Sequence, residues 1–175
     1  GGLRGVIGAG TNRMNVYTIR KATQGLANYV LKQGGQDKGV AIAYDSRFMS
    51  PEFADEAALC LAANGIKTYV FDALRPTPEL SFALRKLGCI SGIVITASHN
   101  PKQYNGFKVY GEDGAQLTPQ FADEIVAHMN AVEDLFAIKS FNREQLLASG
   151  LCVEILEKLD DAYNMALKSL VTAGE

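Results

Sequence analysis

Residues 40–44 (VAIAY), 66–71 (IKTYVF) and 90–96 (ISGIVIT) are apolar runs of five to seven residues. Runs this short, bounded by turn residues, suit buried strands rather than helices. Between them lie stretches whose apolar residues recur three and four apart. Residues 15–31 place Val16, Ile19, Leu26 and Val30 on one face, with Asn15 as cap and Gly34-Gly35 as stop. Residues 51–63 follow Ser50 as cap and Pro51 at the first helical position, with Phe53, Ala57, Cys60 and Leu61 inward. Thr77 precedes a third helix over 78–87, stopped by Gly88. Strand and helix alternating at this spacing predict βαβ units around a mainly parallel sheet.

The rhythm then breaks. Residues 106–110 form a strand only about ten residues after the preceding one, too few for a parallel crossover. That strand is therefore expected to run antiparallel to some of the others, and Asp113-Gly114 to make a tight turn after it. Three further helices are expected over 118–132, 142–148 and 153–170, while residues 135–141 carry no strong period. The predicted fold is α/β: a mixed, mostly parallel sheet of about four strands sandwiched between helices.

With 175 residues the chain has material for one domain and a substantial core. A net charge of −2 gives no overall attraction to nucleic acid or anionic membrane, though a local cationic pocket remains compatible with it. No apolar run is long enough to cross a bilayer. Cys60, Cys89 and Cys152 are odd in number and widely spaced, without zinc spacing, which predicts free thiols in a reducing compartment. The sequence opens on Gly1 without a methionine or a signal peptide. We expect a piece of a longer protein.

In open α/β sheets, sites form beyond the carboxyl ends of the strands. Three such ends carry polar groups here: Asp45-Ser46-Arg47, Asp72 with Arg75-Pro76-Thr77-Pro78, and Thr96-Ala97-Ser98-His99-Asn100-Pro101. The adjacent Ser98 and His99 suggest a hydrolase, but neighbours on an extended backbone point apart, and the G-x-S-x-G elbow is missing. A phosphate ester on Ser98 fits better. It would bring about −1.5 to −2 charge, for which Arg4, Arg47, His99 and Lys108 are the candidate cations. Gly8-Ala9-Gly10 is not a dinucleotide fingerprint, because position 13 is Arg. Asp113-Gly114 lacks the alternating oxygen ligands of a calcium loop.

Thr96-Ala97-Ser98-His99-Asn100-Pro101, followed by Tyr104-Asn105-Gly106-Phe107-Lys108, resembles the active-site loop of the α-D-phosphohexomutases. Gly2-Leu3-Arg4-Gly5 and Asp45-Ser46-Arg47 resemble that family's two arginine motifs, and residues 8–25 are most similar to its phosphoglucomutase and phosphopentomutase branch. The resemblance implies a phosphoserine at Ser98 that exchanges its phosphoryl group with a sugar monophosphate through a sugar 1,6-bisphosphate. Glucose 1-phosphate and glucose 6-phosphate would be interconverted. It implies Lys108 as general base, His99 as an aid to proton traffic, and Arg4, Arg47 and Asn100 as substrate or phosphate contacts.

The resemblance also implies a Mg²⁺ that meets Ser98 through its phosphate. Its other ligands come from an aspartate-rich loop that this sequence lacks. Residues 1–136 would be the first domain of such an enzyme, and residues 137–175 a helical segment leading toward a second. The expected partners are the sugar phosphate and the remaining domains of the same polypeptide, in the cytoplasm, with no nucleic acid and no membrane. A catalytically silent domain of the same fold, mannose or pentose phosphates as substrates, and a nucleotide-binding oxidoreductase domain are the alternatives.

Overall fold

The computed structural model describes residues 2–171. The elements follow in the order β1 (Leu3–Val6), α1 (Val16–Lys32), β2 (Val40–Tyr44), α2 (Ser50–Ala63), β3 (Thr68–Phe71), α3 (Thr77–Leu87) and β4 (Ser91–Ile95). Then come β5 (Tyr104–Gly111), α4 (Pro119–Asn130), α5 (Arg143–Ser149), β6 (Cys152–Ile155) and α6 (Glu157–Leu170). They form one six-stranded sheet in the order β1-β5-β4-β2-β3-β6. The expected four strands become six. β1 and β6, at the two edges, are the additions.

β2 pairs in parallel with β3 and β4, and β3 in parallel with β6. β5 runs antiparallel to both of its neighbours, β1 and β4. This is the reversal that the short connection requires. The carboxyl ends of β1, β4, β2, β3 and β6 therefore open on one rim, together with the start of β5.

The alternation within β2 divides the core. Val40 and Ile42 face one layer, with Ile19, Leu26 and Val30 of α1, Phe53 and Leu61 of α2, and Ile125 of α4. Ala41 and Ala43 face the other, with Leu80, Ala83 and Leu84 of α3, and Leu159 of α6. Small residues let α3 lie close to the sheet: a Cβ added at Gly92 of β4 would sit 2.7 Å from Leu84 Cδ2.

α1 starts as expected. The Asn15 side chain accepts from the amides of Tyr17 and Thr18, and Thr18 Oγ1 returns the bond to the Asn15 amide. α2 does not start as expected. Its cap is Met49, in a left-handed conformation with φ 64°, and Ser50 lies within the first turn. The Ser50 hydroxyl is taken by Asp45 and Asn105 instead of the helix amides. The helix expected over 153–170 begins only at Glu157, because Cys152–Ile155 adds to the sheet beside β3. Cys60 and Cys89 are buried free thiols, each pushed up to about 12 by burial. Among the described residues no helix is long and apolar enough to cross a membrane.

Candidate active site

β4 is buried along its whole length and ends in buried Thr96 and Ala97; Ser98 and His99 then emerge exposed. The emergence is a tight turn closed by the Asn100 amide donating to the Ala97 carbonyl at 3.1 Å. Ser98, its first central residue, has φ 55°. A left-handed residue with a Cβ costs on the order of 1 kcal/mol or more, and such positions cluster at functional sites. The Ser98 amide donates to Thr96 Oγ1 at 2.9 Å, which fixes the turn from within.

Ser98 Oγ lies 3.3 Å from His99 Nδ1. The expectation that the two side chains point apart assumed extended backbone, and the positive φ overturns it. What argues against a hydrolase triad is the third member: among the described residues no carboxylate hydrogen-bonds His99.

Arg47 reaches this turn from the end of β2, but not as a free cation. Its Nη1 donates to the carbonyls of Pro101 and Tyr104 at 3.0 and 3.1 Å, and its Nη2 to those of Ser98 and Asn100 at 2.6 Å each. Its Nε faces Asp45 at 3.5 Å. The four Nη donors of the guanidinium fork are thus committed to carbonyls of the turn, and they hold residues 98–104 in one shape. Behind Arg47 stands a chain of polar groups that sequence reasoning did not assign. Asp45 Oδ1 accepts from the Arg47 amide and from Ser50 Oγ. Ser50 Oγ accepts from Asn105 Nδ2, and fully buried Asn105 also donates to the Phe48 carbonyl. The signal was present in the sequence as Asn105-Gly106 within the matched motif. Gly106 has a steric reason as well: a Cβ there would lie 2.6 Å from the Thr96 carbonyl oxygen and 2.8 Å from that of Leu3.

Arg4 belongs to β1, opposite Gly106 of β5. Its Nη1 donates to Asn100 Oδ1 at 3.1 Å, so Arg4, Asn100, Ser98 and His99 share one patch. Lys108 is set back. It pairs across the ladder with Val94, two residues behind the Thr96–Gly106 bond, roughly 7 Å at strand rise. Among the described residues no hydrogen bond or ion pair ties its ammonium to the serine turn. Arg75, at the third strand end, is turned away from the patch: it forms a two-toothed contact with Asp160 of α6 at 2.9 and 2.6 Å and also meets Asp72. Beside it Glu79 is buried at 4% exposure, with Oε1 lacking a hydrogen-bond partner. Burial, and then the neighbouring Asp160 carboxylate, push Glu79 up to about 7, whereas the hydrogen bond from Arg75 holds Asp160 below the usual carboxylate range.

Among the described residues no three His, Cys, Asp or Glu side chains converge on a point where a metal would sit. Asp45, the nearest acid in the network behind the turn, already serves Arg47 and Ser50. These residues do not by themselves fit a Mg²⁺ site.

An α/β/α sandwich whose polar groups converge on one strained serine at a strand end defines the class. The chain belongs to the phosphoglucomutase/phosphomannomutase family, as its alpha/beta/alpha domain I, whose model matches residues 1–135. It is 40% identical over 170 residues to a phosphoglucomutase of Staphylococcus saprophyticus, covering 97% of this chain and 31% of that protein. It is 47% identical over 133 residues to a phosphoglucomutase of Staphylococcus aureus strain USA300, covering 76% and 24%. Among solved structures, a putative phosphomannomutase from Thermus thermophilus superimposes with a TM-score of 0.77 at 29% identity. That match covers 98% of this chain and 35% of the other. The chain thus spans about a third of the length of the proteins it resembles.

Proposed function

We propose that this chain is the phosphoserine domain of a phosphoglucomutase-type enzyme that interconverts glucose 1-phosphate and glucose 6-phosphate. The observation that carries the reading is Ser98, exposed in a left-handed turn at the carboxyl rim that the two Nη groups of Arg47 clamp through four carbonyls. A clamp of this kind orders the loop before the substrate arrives, which is what phosphoryl transfer asks of a protein.

In the proposed step a sugar hydroxyl attacks the phosphorus on Ser98. The bond from phosphorus to Ser98 Oγ breaks as the new sugar–phosphate bond forms. The hydroxyl proton passes to Lys108, and Ser98 Oγ leaves as an alkoxide that takes up a proton through His99, whose Nδ1 lies beside it. The product is a sugar 1,6-bisphosphate. Its other phosphate returns to Ser98 in the reverse of the same step. Arg4 and Asn100 are the proposed contacts to the sugar phosphate. Arg47 acts by positioning the turn, since its donors are already engaged.

A Mg²⁺ would meet this chain through the Ser98 phosphate, with its remaining ligands from other parts of the full-length polypeptide. Residues 1–136 are proposed as the domain proper and residues 137–175 as the passage toward the next one. The buried free thiols support a cytoplasmic setting. The test is mass spectrometry and turnover of the full-length protein. We expect a phosphate on Ser98 and loss of turnover by at least about a thousandfold in Ser98→Ala, as for removal of a covalent nucleophile. Full activity with unmodified Ser98 would refute the reading.

A further inference from the structure

The first 36 residues hold five cationic side chains, Arg4, Arg13, Arg20, Lys21 and Lys32, and no acidic one, in a chain whose net charge is −2. Two of the five are neutralised from elsewhere: Arg20 by Glu56 of α2 and Lys32 by Glu124 of α4. Among the described residues no carboxylate lies within ion-pair distance of the other three. Arg4, Arg13 and Lys21 line one groove of about 300 Å³ between β1, the 8–14 loop and α1. Thr11, Asn12 and Thr18 line it too.

The loop that delivers Arg13 is a built structure. Asn15 Nδ2 donates to the carbonyls of Gly8 and Gly10 at 2.9 and 3.0 Å. The Met14 amide donates to Val6, the Gly8 amide to Met14 and the Arg13 amide to Gly10. Met14, 3% exposed, pins its end in the core. Gly8 and Gly10 supply positive φ values of 157° and 117°. Yet Ala9 through Arg13 are all exposed. Ordering exposed residues brings little apolar burial to offset the entropy, so the shape serves what it presents.

We propose that this groove is an anion subsite for the phosphomonoester dianion of a phosphorylated sugar, distinct from the phosphate on Ser98. Three uncompensated cations in a concave wall focus field on a dianion, and two guanidinium forks match phosphate oxygens. The groove meets the serine turn through Arg4, which bonds Asn100. A ligand seated in it is therefore held next to the reacting group. That the dianion belongs to a sugar rests on the proposed function; the anion site itself does not.

The test titrates the 175-residue chain at low ionic strength with inorganic phosphate and, separately, with glucose 6-phosphate, followed by amide NMR shifts. Saturable shifts across residues 8–21 are expected with both probes, tighter for glucose 6-phosphate. Arg13→Gln and Lys21→Gln, neither of which removes a core contact, should each keep the melting temperature and weaken binding roughly tenfold, the worth of a charge-assisted bond. Shifts confined to the Ser98 turn, or affinities unmoved by both substitutions, overturn the subsite. Equal affinity for the two probes overturns the sugar phosphate as its ligand. In Ser98→Ala the groove titration should be unchanged. Loss of groove binding in that variant counts against a distinct subsite. Turnover surviving in full-length Ser98→Ala refutes the serine chemistry and leaves the groove standing.

Discussion

Arg47 shows how far a residue's role is set by what it has already bonded. Its sequence context, at a strand end beside an acid, marks it as a cation for a ligand, and the structure commits it to four carbonyls of its own chain. The consequence is measurable. Arg47→Lys keeps the charge but offers three donors on a flexible stem in place of a five-donor fork. In the full-length enzyme we expect kcat to fall by about a hundredfold, the scale of a 1 Å misplacement, with KM little changed. Hydrogen exchange of residues 98–104 should quicken in the same variant. An unchanged exchange pattern together with unchanged kcat would show that the clamp is not needed.

At the scale of elements, the sequence made the interior strands and the helices legible because their patterns are unambiguous. VAIAY has no other sensible place than a buried strand, and Asn15 with Thr18 announces the start of α1. The edges were not legible. Leu3-Arg4-Gly5-Val6 is short, holds a charge and a glycine, and carries no alternation strong enough to declare a strand; only the partner β5 makes it one. Cys152–Ile155 was absorbed into the helical period that follows, since Val153 and Leu156 continue that pattern, yet both side chains prove exposed. The Ser98 turn was misjudged in conformation because a left-handed serine leaves no mark in residue type.

The junction of α3 with α6 carries its own prediction. Arg75 binds Asp160 closely and reaches Glu79 only at 4.0 Å, which leaves Glu79 buried beside the Asp160 carboxylate. Tyr44, from β2, adds only a hydroxyl bonded to the Asp72 carbonyl. Glu79 therefore holds a proton in the folded state to about pH 7 and loses it near pH 4.3 when unfolded. Between those values the folded state binds more protons, so this group's contribution to stability falls as pH rises from about 4.5 to 7. Asp160 acts in the opposite sense and loses its contribution only in stronger acid. Glu79→Gln should leave stability near pH 5 almost unchanged and raise it above pH 7 by on the order of 2 kcal/mol, at about 1.4 kcal/mol per pH unit. Urea denaturation at both pH values decides it; equal effects at both would mean that Glu79 is charged throughout.

For the whole molecule, the segment after the family match is not an appendage in space. β6 extends the sheet beside β3, and Ile155 and Leu159 enter the same core layer as Leu80 and Leu84. A chain ending at residue 136 should therefore unfold more easily, by roughly 3–6 kcal/mol from Ile155 and Leu159 alone at 1.5–3 kcal/mol each. Comparison of the two chains by thermal unfolding tests this, and equal melting temperatures would place the boundary at 136 after all. The same layer leaves Met165 and Leu170 of α6 on the outside.

β5 is bonded on one side to the strand of Arg4 and on the other to the strand that delivers Ser98. A single backbone thus serves as the common ruler for two groups nearly a hundred positions apart in the chain. The spacing of their backbones is inherited from the ladder bonds between strands rather than from the helices and loops around the sheet.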